Sequence, residues 1–186
     1  MNKIFFGFLF VFFKTNTSFF EDGTAFYGTN LVGYSLIYFG VKELGMKNES
    51  ILKTQPYVIF MIVHSILFLG LNGSGNSPLS MALDSYMAAI ALVGTGFVIA
   101  GMFMVFVIIS FLLEGLGDEF STRRLSILCA AMMTIFTLAG LFYFFSPEIA
   151  QLLVSVLLLL KVMFLVGFYT VILGNRESIA GQDLKG

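Results

Sequence analysis

The stretch LLVSVLLLLKVMFLV, residues 152–166, decides the fold class of this chain. It contains a single charged residue, Lys161, and lies inside a longer apolar run from Pro147 to Leu173. A helix that crosses a lipid bilayer needs about 20 mostly apolar residues, and this run is long enough. The sequence therefore predicts a transmembrane helix here.

The composition of the whole chain agrees with this local pattern. Of the 186 residues, 58% are apolar and 11% charged, whereas soluble domains have about 45–50% and about 25%. A soluble domain of this size could not bury so much apolar surface. The sequence thus predicts an all-α membrane protein that crosses the bilayer several times and has lipid as its main partner.

Charge and the rare residue types exclude several classes of site. The net charge of −1 excludes the basic surface typical of nucleic-acid binding. The single cysteine, Cys129, excludes an intramolecular disulfide framework, and the single histidine, His64, excludes a His-rich metal centre. We therefore expect no metal site and no cofactor.

Six apolar runs predict a six-transmembrane-helix bundle. Each of the three prolines opens one of these runs. Proline suits the first turn of a helix because its missing N–H would be unpaired there anyway. We expect one transmembrane domain, residues 1–175, followed by a cytoplasmic tail, residues 176–186. The predicted helices cover residues 4–20, 25–44, 56–71, 78–116, 125–145 and 147–173.

The positive charges predict the orientation of this bundle. Six spans place the N-terminus, residues 45–54, residues 114–124 and the C-terminal tail on one side of the membrane. Loops on the opposite side contain no Lys or Arg. Because cytoplasmic loops are enriched in Lys and Arg, we expect both termini to be cytoplasmic. The eight basic residues on the predicted cytoplasmic side are Lys3, Lys42, Lys47, Lys53, Arg123, Arg124, Arg176 and Lys185.

Two segments near the N-terminus carry a resemblance to known proteins. They read MNKIFFGFLF, residues 1–10, and GTNLVGYSLIYFGVKEL, residues 28–44. Over the first 55 residues the chain resembles a group of small multi-pass membrane proteins of Firmicutes. Those proteins have Pro-Asp where this chain has Thr29-Asn30. The resemblance implies a multi-pass protein of the bacterial inner (plasma) membrane, and it implies no catalytic residue or substrate.

Two basic side chains are candidates for a polar site in the middle of the membrane. A lysine at mid-span costs at least about 2.5–3.5 kcal/mol to insert, so Lys161 must pair with an acid, face water or lose its proton. His64, in the middle of the third predicted helix, lies at a comparable depth. Together they could bind an anionic or carbonyl-bearing solute. The alternative is structural: each side chain makes a hydrogen bond to backbone or to a neighbouring helix.

Other polar residues in the predicted spans have both functional and structural interpretations. Asn30 and Tyr34 lie one turn apart on one face of the second predicted helix, where they could bind a ligand or join two helices by hydrogen bonds. Lys14 and Asp84 lie near the same membrane surface and could form an ion pair. Otherwise Lys14 reaches the interface alone, and Asp84 is favoured by the positive end of its helix.

The fourth predicted helix carries a strip of small residues. Gly96 and Ala100 lie four residues apart, a spacing that lets another helix approach closely. This strip could serve packing inside the bundle or the seam of a homodimer.

The motifs that the sequence lacks also bear on function. The chain has no Walker loop, no His-Glu-x-x-His and no Gly-x-Ser-x-Gly, so we expect that it is not an enzyme. Two hypotheses remain. The protein could bind or transport a small solute at a midplane polar site, or it could be a non-catalytic accessory or structural subunit that packs against another membrane protein.

Overall fold

The computed structural model of the chain describes residues 2–13, 23–46, 48–78, 88–116 and 119–183. Within these ranges the chain forms six α-helices, one short 3-10 helix (Glu49–Thr54) and no β-strand, which confirms the all-α prediction. The α-helices are α1 (Asn2–Phe12), α2 (Thr24–Gly45), α3 (Gln55–Gly73), α4 (Ala88–Leu116), α5 (Glu119–Phe145) and α6 (Pro147–Asp183).

Four segments in the described part of the chain are long and apolar enough to cross a membrane. They support a multi-pass membrane protein, although the sequence predicted six spans. In α1 the described apolar helix is only 11 residues long, and most of the rest of the predicted first helix lies outside the described residues. The glycine-rich α2 is not among the four. The candidate spans are Glu49–Gly73, Ala88–Leu116, Thr122–Tyr143 and Pro147–Val171.

Helix boundaries follow the proline signals at two of three places. Pro56 lies in the first turn of α3, and Pro147 opens α6 after Ser146. Residues 79–87, which the sequence assigned to the fourth helix, lie outside the described residues. At the other end of the chain, α6 continues to Asp183, ten residues beyond the predicted end. Much of the predicted tail is therefore helical.

Glycines bring α1 and α2 into close contact. A Cβ atom on Gly33 would lie 2.7 Å from Cγ2 of Val11 and 2.9 Å from the carbonyl oxygen of Gly7. One on Gly7 would lie 2.7 Å from the carbonyl oxygen of Gly33. Small residues let helix backbones approach in this way in membrane proteins. Two glycines of α2, Gly33 and Gly40, thus serve packing against α1.

Phenylalanine rings join α1 to α6 in the core. Phe8 packs edge-to-face on Phe164 and Phe168, with ring centroids 6.3 and 5.5 Å away. Phe12 meets Phe164 at 5.9 Å. Edge-to-face pairs place the positive ring edge against the negative ring face, which stabilises them beyond the apolar area that they bury.

The 3-10 helix and the residue before it hold the C-terminal end of α4. The Nδ2 amide of Asn48 donates to the carbonyl of Gly115 at 2.6 Å. Its Oδ1 accepts from the backbone N–H of Ser50 at 3.1 Å. The last carbonyls of a helix have no partner within the helix, and Asn48 supplies one.

Candidate functional site

Three helices, α2, α3 and α4, line a small, partly open cavity. Its volume is about 10 Å³, close to the minimum of about 10–15 Å³ that holds one water molecule. Two of the polar residues singled out in the sequence, Asn30 and His64, line this cavity together. The other lining residues are Phe26, Tyr27, Met61, Val98, Gly101 and Met102.

His64 connects α3 to α4. Its side chain is 6% exposed, and its Nε2 lies 3.1 Å from the carbonyl oxygen of Phe97. Because a carbonyl can only accept, Nε2 carries the hydrogen and donates it. A Cβ atom on Gly101 would lie 2.7 Å from Cε1 and Nε2 of the ring. Glycine at this position is therefore what allows the imidazole to reach the α4 backbone.

Aromatic rings surround the imidazole. The ring centroid of Phe68, one turn along α3, lies 4.5 Å from that of His64. Tyr27 of α2 and Phe60 of α3 follow at 6.2 and 6.3 Å. These rings pack around the imidazole from α2 and α3.

Asn30 supplies a buried acceptor to the same cavity. The residue is 2% exposed, and its Oδ1 has no hydrogen-bond partner among the described residues. A buried polar atom without a partner costs about 1–3 kcal/mol. A hydrogen-bond donor inside the cavity would remove that cost, so the site is suited to a small donor group.

Tyr34 lies outside the cavity although it is one turn from Asn30. Its ring is fully buried in the main hydrophobic core, together with Phe8 and Ile37. The two residues proposed from the sequence as one polar face therefore separate: Asn30 lines the cavity, whereas Tyr34 packs in the core.

Lys161 lies on a different helix interface from His64. It is half-buried, and its Nζ stands 5.7 Å from the ring centroid of Phe12. That distance is within the range of a cation–π contact. Among the described side chains, none from α6 lines the cavity with His64. In the described structure, the basic pair expected from equal depth is thus divided between the α1–α6 and α3–α4 interfaces.

The strip of small residues faces outward. A Cβ atom on Gly96 would meet nothing within 4 Å in the described structure, and Ala100 is exposed. The close approach to another helix of the same chain occurs instead at Gly101. Packing inside the bundle and the seam of a homodimer both stay predictions for this strip.

Lys14 and Asp84, the proposed ion pair, both lie outside the described residues. Within the described ranges, no group of three or more His, Cys, Asp or Glu side chains is arranged to hold a metal ion. The aromatic residues around His64 were not singled out from the sequence, because 23 phenylalanines are spread through all the spans.

No protein-family model matches the chain, and no curated protein or solved structure matches it.

Proposed function

We propose that this chain is a six-span protein of the bacterial plasma membrane, with both termini in the cytoplasm, that binds a small polar solute between α2, α3 and α4. The observation that carries the proposal is the buried, partnerless Oδ1 of Asn30 in a cavity that it shares with His64. Buried polar groups normally have a partner, and an exception needs a reason such as a ligand.

The chemistry of the cavity restricts the solute. Oδ1 of Asn30 accepts a hydrogen bond, so the bound group must donate one. The volume of about 10 Å³ admits only a water-sized group. Ammonium fits this description, and so does the amino or hydroxyl end of a larger solute. An anion, which Lys161 and His64 acting together would have favoured, does not.

The depth of the cavity favours transport over binding at a surface. Gly101 lies about 20 Å from either end of α4, at 1.5 Å per residue. His64 lies about 14 Å from the end of α3 at Gly73. Polar sites near the middle of the bilayer are typical of transporters, since a solute there has crossed half of the barrier.

A ligand screen on the purified protein tests the proposal. A solute that binds the folded state raises its melting temperature in a concentration-dependent way. Ammonium chloride and a panel of small amines and alcohols, each compared with the sodium or alkane counterpart, are the probes. We expect at least one donor solute to raise the melting temperature, and Asn30→Leu to abolish that rise.

The control variant is Thr54→Val. Thr54 is also fully buried, and its hydroxyl has no partner among the described residues, but it does not line the cavity. It should change the basal stability while keeping the response to the solute. A panel without any effect, or a response that survives Asn30→Leu, contradicts the proposal.

The second candidate function is that of an accessory subunit, and the outward-facing Gly96 and Ala100 favour it. In a membrane such a strip accepts a helix from another protein or another copy. Gly96→Cys in a Cys129→Ala background tests the homodimer. A disulfide-linked dimer in native membranes supports it, and a monomer under the same oxidant excludes a homodimer seam there.

A further inference from the structure

A groove of about 410 Å³ lies between α4 and α5, apart from the cavity described above. Its volume is within the range of about 300–1,000 Å³ that is typical of sites for small molecules. The α4 wall consists of Phe106, Val107, Ser110, Phe111 and Glu114, and the α5 wall of Ser126, Cys129, Ala130 and Met133.

The groove runs from the membrane boundary toward the middle of the bilayer. Glu114 and Ser126 lie near the ends of the spans Ala88–Leu116 and Thr122–Tyr143. Phe106 lies eight residues before Glu114 on α4, which is about 12 Å deeper. One end of the groove therefore carries a charge at the membrane surface, while the other end reaches toward the acyl region.

The polar side chains inside the groove are turned toward backbone atoms. Ser110 donates its hydroxyl hydrogen to the carbonyl of Phe106 at 2.9 Å. The Cys129 thiol lies 3.8 Å from the same carbonyl. With these groups satisfied locally, the deep wall presents mainly Phe, Val, Ala and Met to an occupant. That surface suits a hydrocarbon chain and not a polar solute.

Glu114 lines the mouth of the groove, and helix periodicity places a positive charge on the groove-facing side of α5. Ser126 and Ala130 lie four residues apart and face the groove, and Arg123 lies one turn before Ser126 on the same side of α5. Both Arg123 and Glu114 are exposed. We propose that the groove binds one acyl chain of a zwitterionic phospholipid, whose primary ammonium contacts Glu114 and whose phosphate contacts Arg123.

The absence of tryptophan from the sequence makes a direct test available. Val107→Trp places a single fluorophore in the groove wall. The protein is reconstituted in phosphatidylcholine vesicles that contain increasing fractions of a lipid with brominated chains, which quench tryptophan on contact. The brominated lipid carries an ethanolamine, a choline or a glycerol head group. Should Val107→Trp fail to fold, Met133→Trp reports from the opposite wall.

We expect the ethanolamine lipid to bind about twofold to fivefold more tightly than the other two, the range for an exposed charge pair. The choline group carries the same charge but cannot donate a hydrogen bond to Glu114, and the glycerol group carries no positive charge. Glu114→Gln should remove this preference. Glu49→Gln, which neutralises an acid in the 3-10 helix outside the groove, should keep it. Met163→Trp, exposed on α6 at a similar depth, should show no head-group preference.

Three outcomes overturn the proposal. Equal quenching by all three lipids means that the groove holds ordinary annular lipid without recognising the head group. Stronger quenching by the anionic glycerol lipid assigns the mouth to Arg123 alone. Weak quenching by every lipid at Val107→Trp, with normal quenching at Met163→Trp, means that another polypeptide or a different helix packing fills the groove.

Discussion

The Nε2 atom of His64 lies 3.1 Å from the carbonyl oxygen of Phe97. Gly101 follows Phe97 by one turn of α4, and its missing side chain makes that contact possible. The same imidazole lines the cavity that holds the buried oxygen of Asn30. Packing of α3 on α4 and the polarity of the candidate site therefore depend on one residue.

Gly101→Ala should loosen the α3–α4 interface. Its new methyl group would lie 2.7 Å from the His64 ring, and overpacking of this kind costs about 1–3 kcal/mol. A gain in helix propensity of about 1 kcal/mol offsets part of the loss. We expect the free energy of unfolding, measured by denaturant titration in micelles, to fall by up to about 2 kcal/mol.

Gly96→Ala is the matched control on the same helix. It adds the same methyl group where no atom of the described residues lies within 4 Å, so stability should stay the same or rise by up to about 1 kcal/mol. A double-mutant cycle that combines Gly101→Ala with His64→Ala should show coupling, because removing the ring removes the clash at position 101. Equal effects at the two glycines contradict the described packing.

Gly33→Ala should separate α1 from α2. The added methyl would lie 2.9 Å from a backbone oxygen, that of Gly7, which cannot move away by a change of rotamer. We expect a loss of about 1–3 kcal/mol in the free energy of unfolding. Gly28→Ala, in the same helix and with no neighbour within 4 Å in the described part of the chain, should have little effect. The pair is compared by thermal unfolding in identical micelles.

Lys161→Met should give a folded protein that keeps its response to the solute. The variant loses a cation–π contact with Phe12 of about 0.5–2 kcal/mol. It also removes a charge whose insertion costs at least about 2.5–3.5 kcal/mol, so stability should not fall. Melting temperatures with and without the solute are the measurement. If the response disappears while the fold remains, Lys161 belongs to the binding site.

The proposed orientation predicts a pattern of cysteine labelling. In a Cys129→Ala background, Ser74→Cys lies in the turn after α3, and Glu49→Cys lies in the 3-10 helix before it. An impermeant maleimide should label the first in intact cells and the second only after permeabilisation. The reverse pattern would place the termini outside, and labelling of both in intact cells would contradict a membrane crossing by α3.

The sequence predicted the long apolar helices better than their arrangement. Runs such as residues 152–166 can only be helices in lipid, and the prolines at 56 and 147 opened two of them. The predicted helix ended at residue 173, with the apolar run. The helix α6 continues to Asp183, and residues 174–183 contain no proline that would stop it. In α2, glycines lowered the apolar character of the sequence. Their role in close packing against α1 is evident only from the structure.

For the candidate site, too, the sequence predicted the individual residues better than their arrangement. The position of a polar residue within an apolar run was enough to select Asn30 and His64 separately. The two residues line one cavity because of the way in which α2, α3 and α4 are rotated about their axes. The pattern of residue types in the sequence does not contain that information. Depth alone paired Lys161 with His64, and the structure places the two on different interfaces. On α4 the close approach to α3 is at Gly101, one residue after the Ala100 of the predicted strip.

The contacts of Phe8 with Phe164 and Phe168 also set an order of events during biosynthesis. At roughly 5–20 residues per second, the ribosome completes Phe164 roughly 10–30 s after Phe8. During that interval α1 can pack against α2, but the aromatic side chains of α6 that cover its other side are not yet present. The aromatic part of the core between α1 and α6 can therefore form only after α6 has been synthesised.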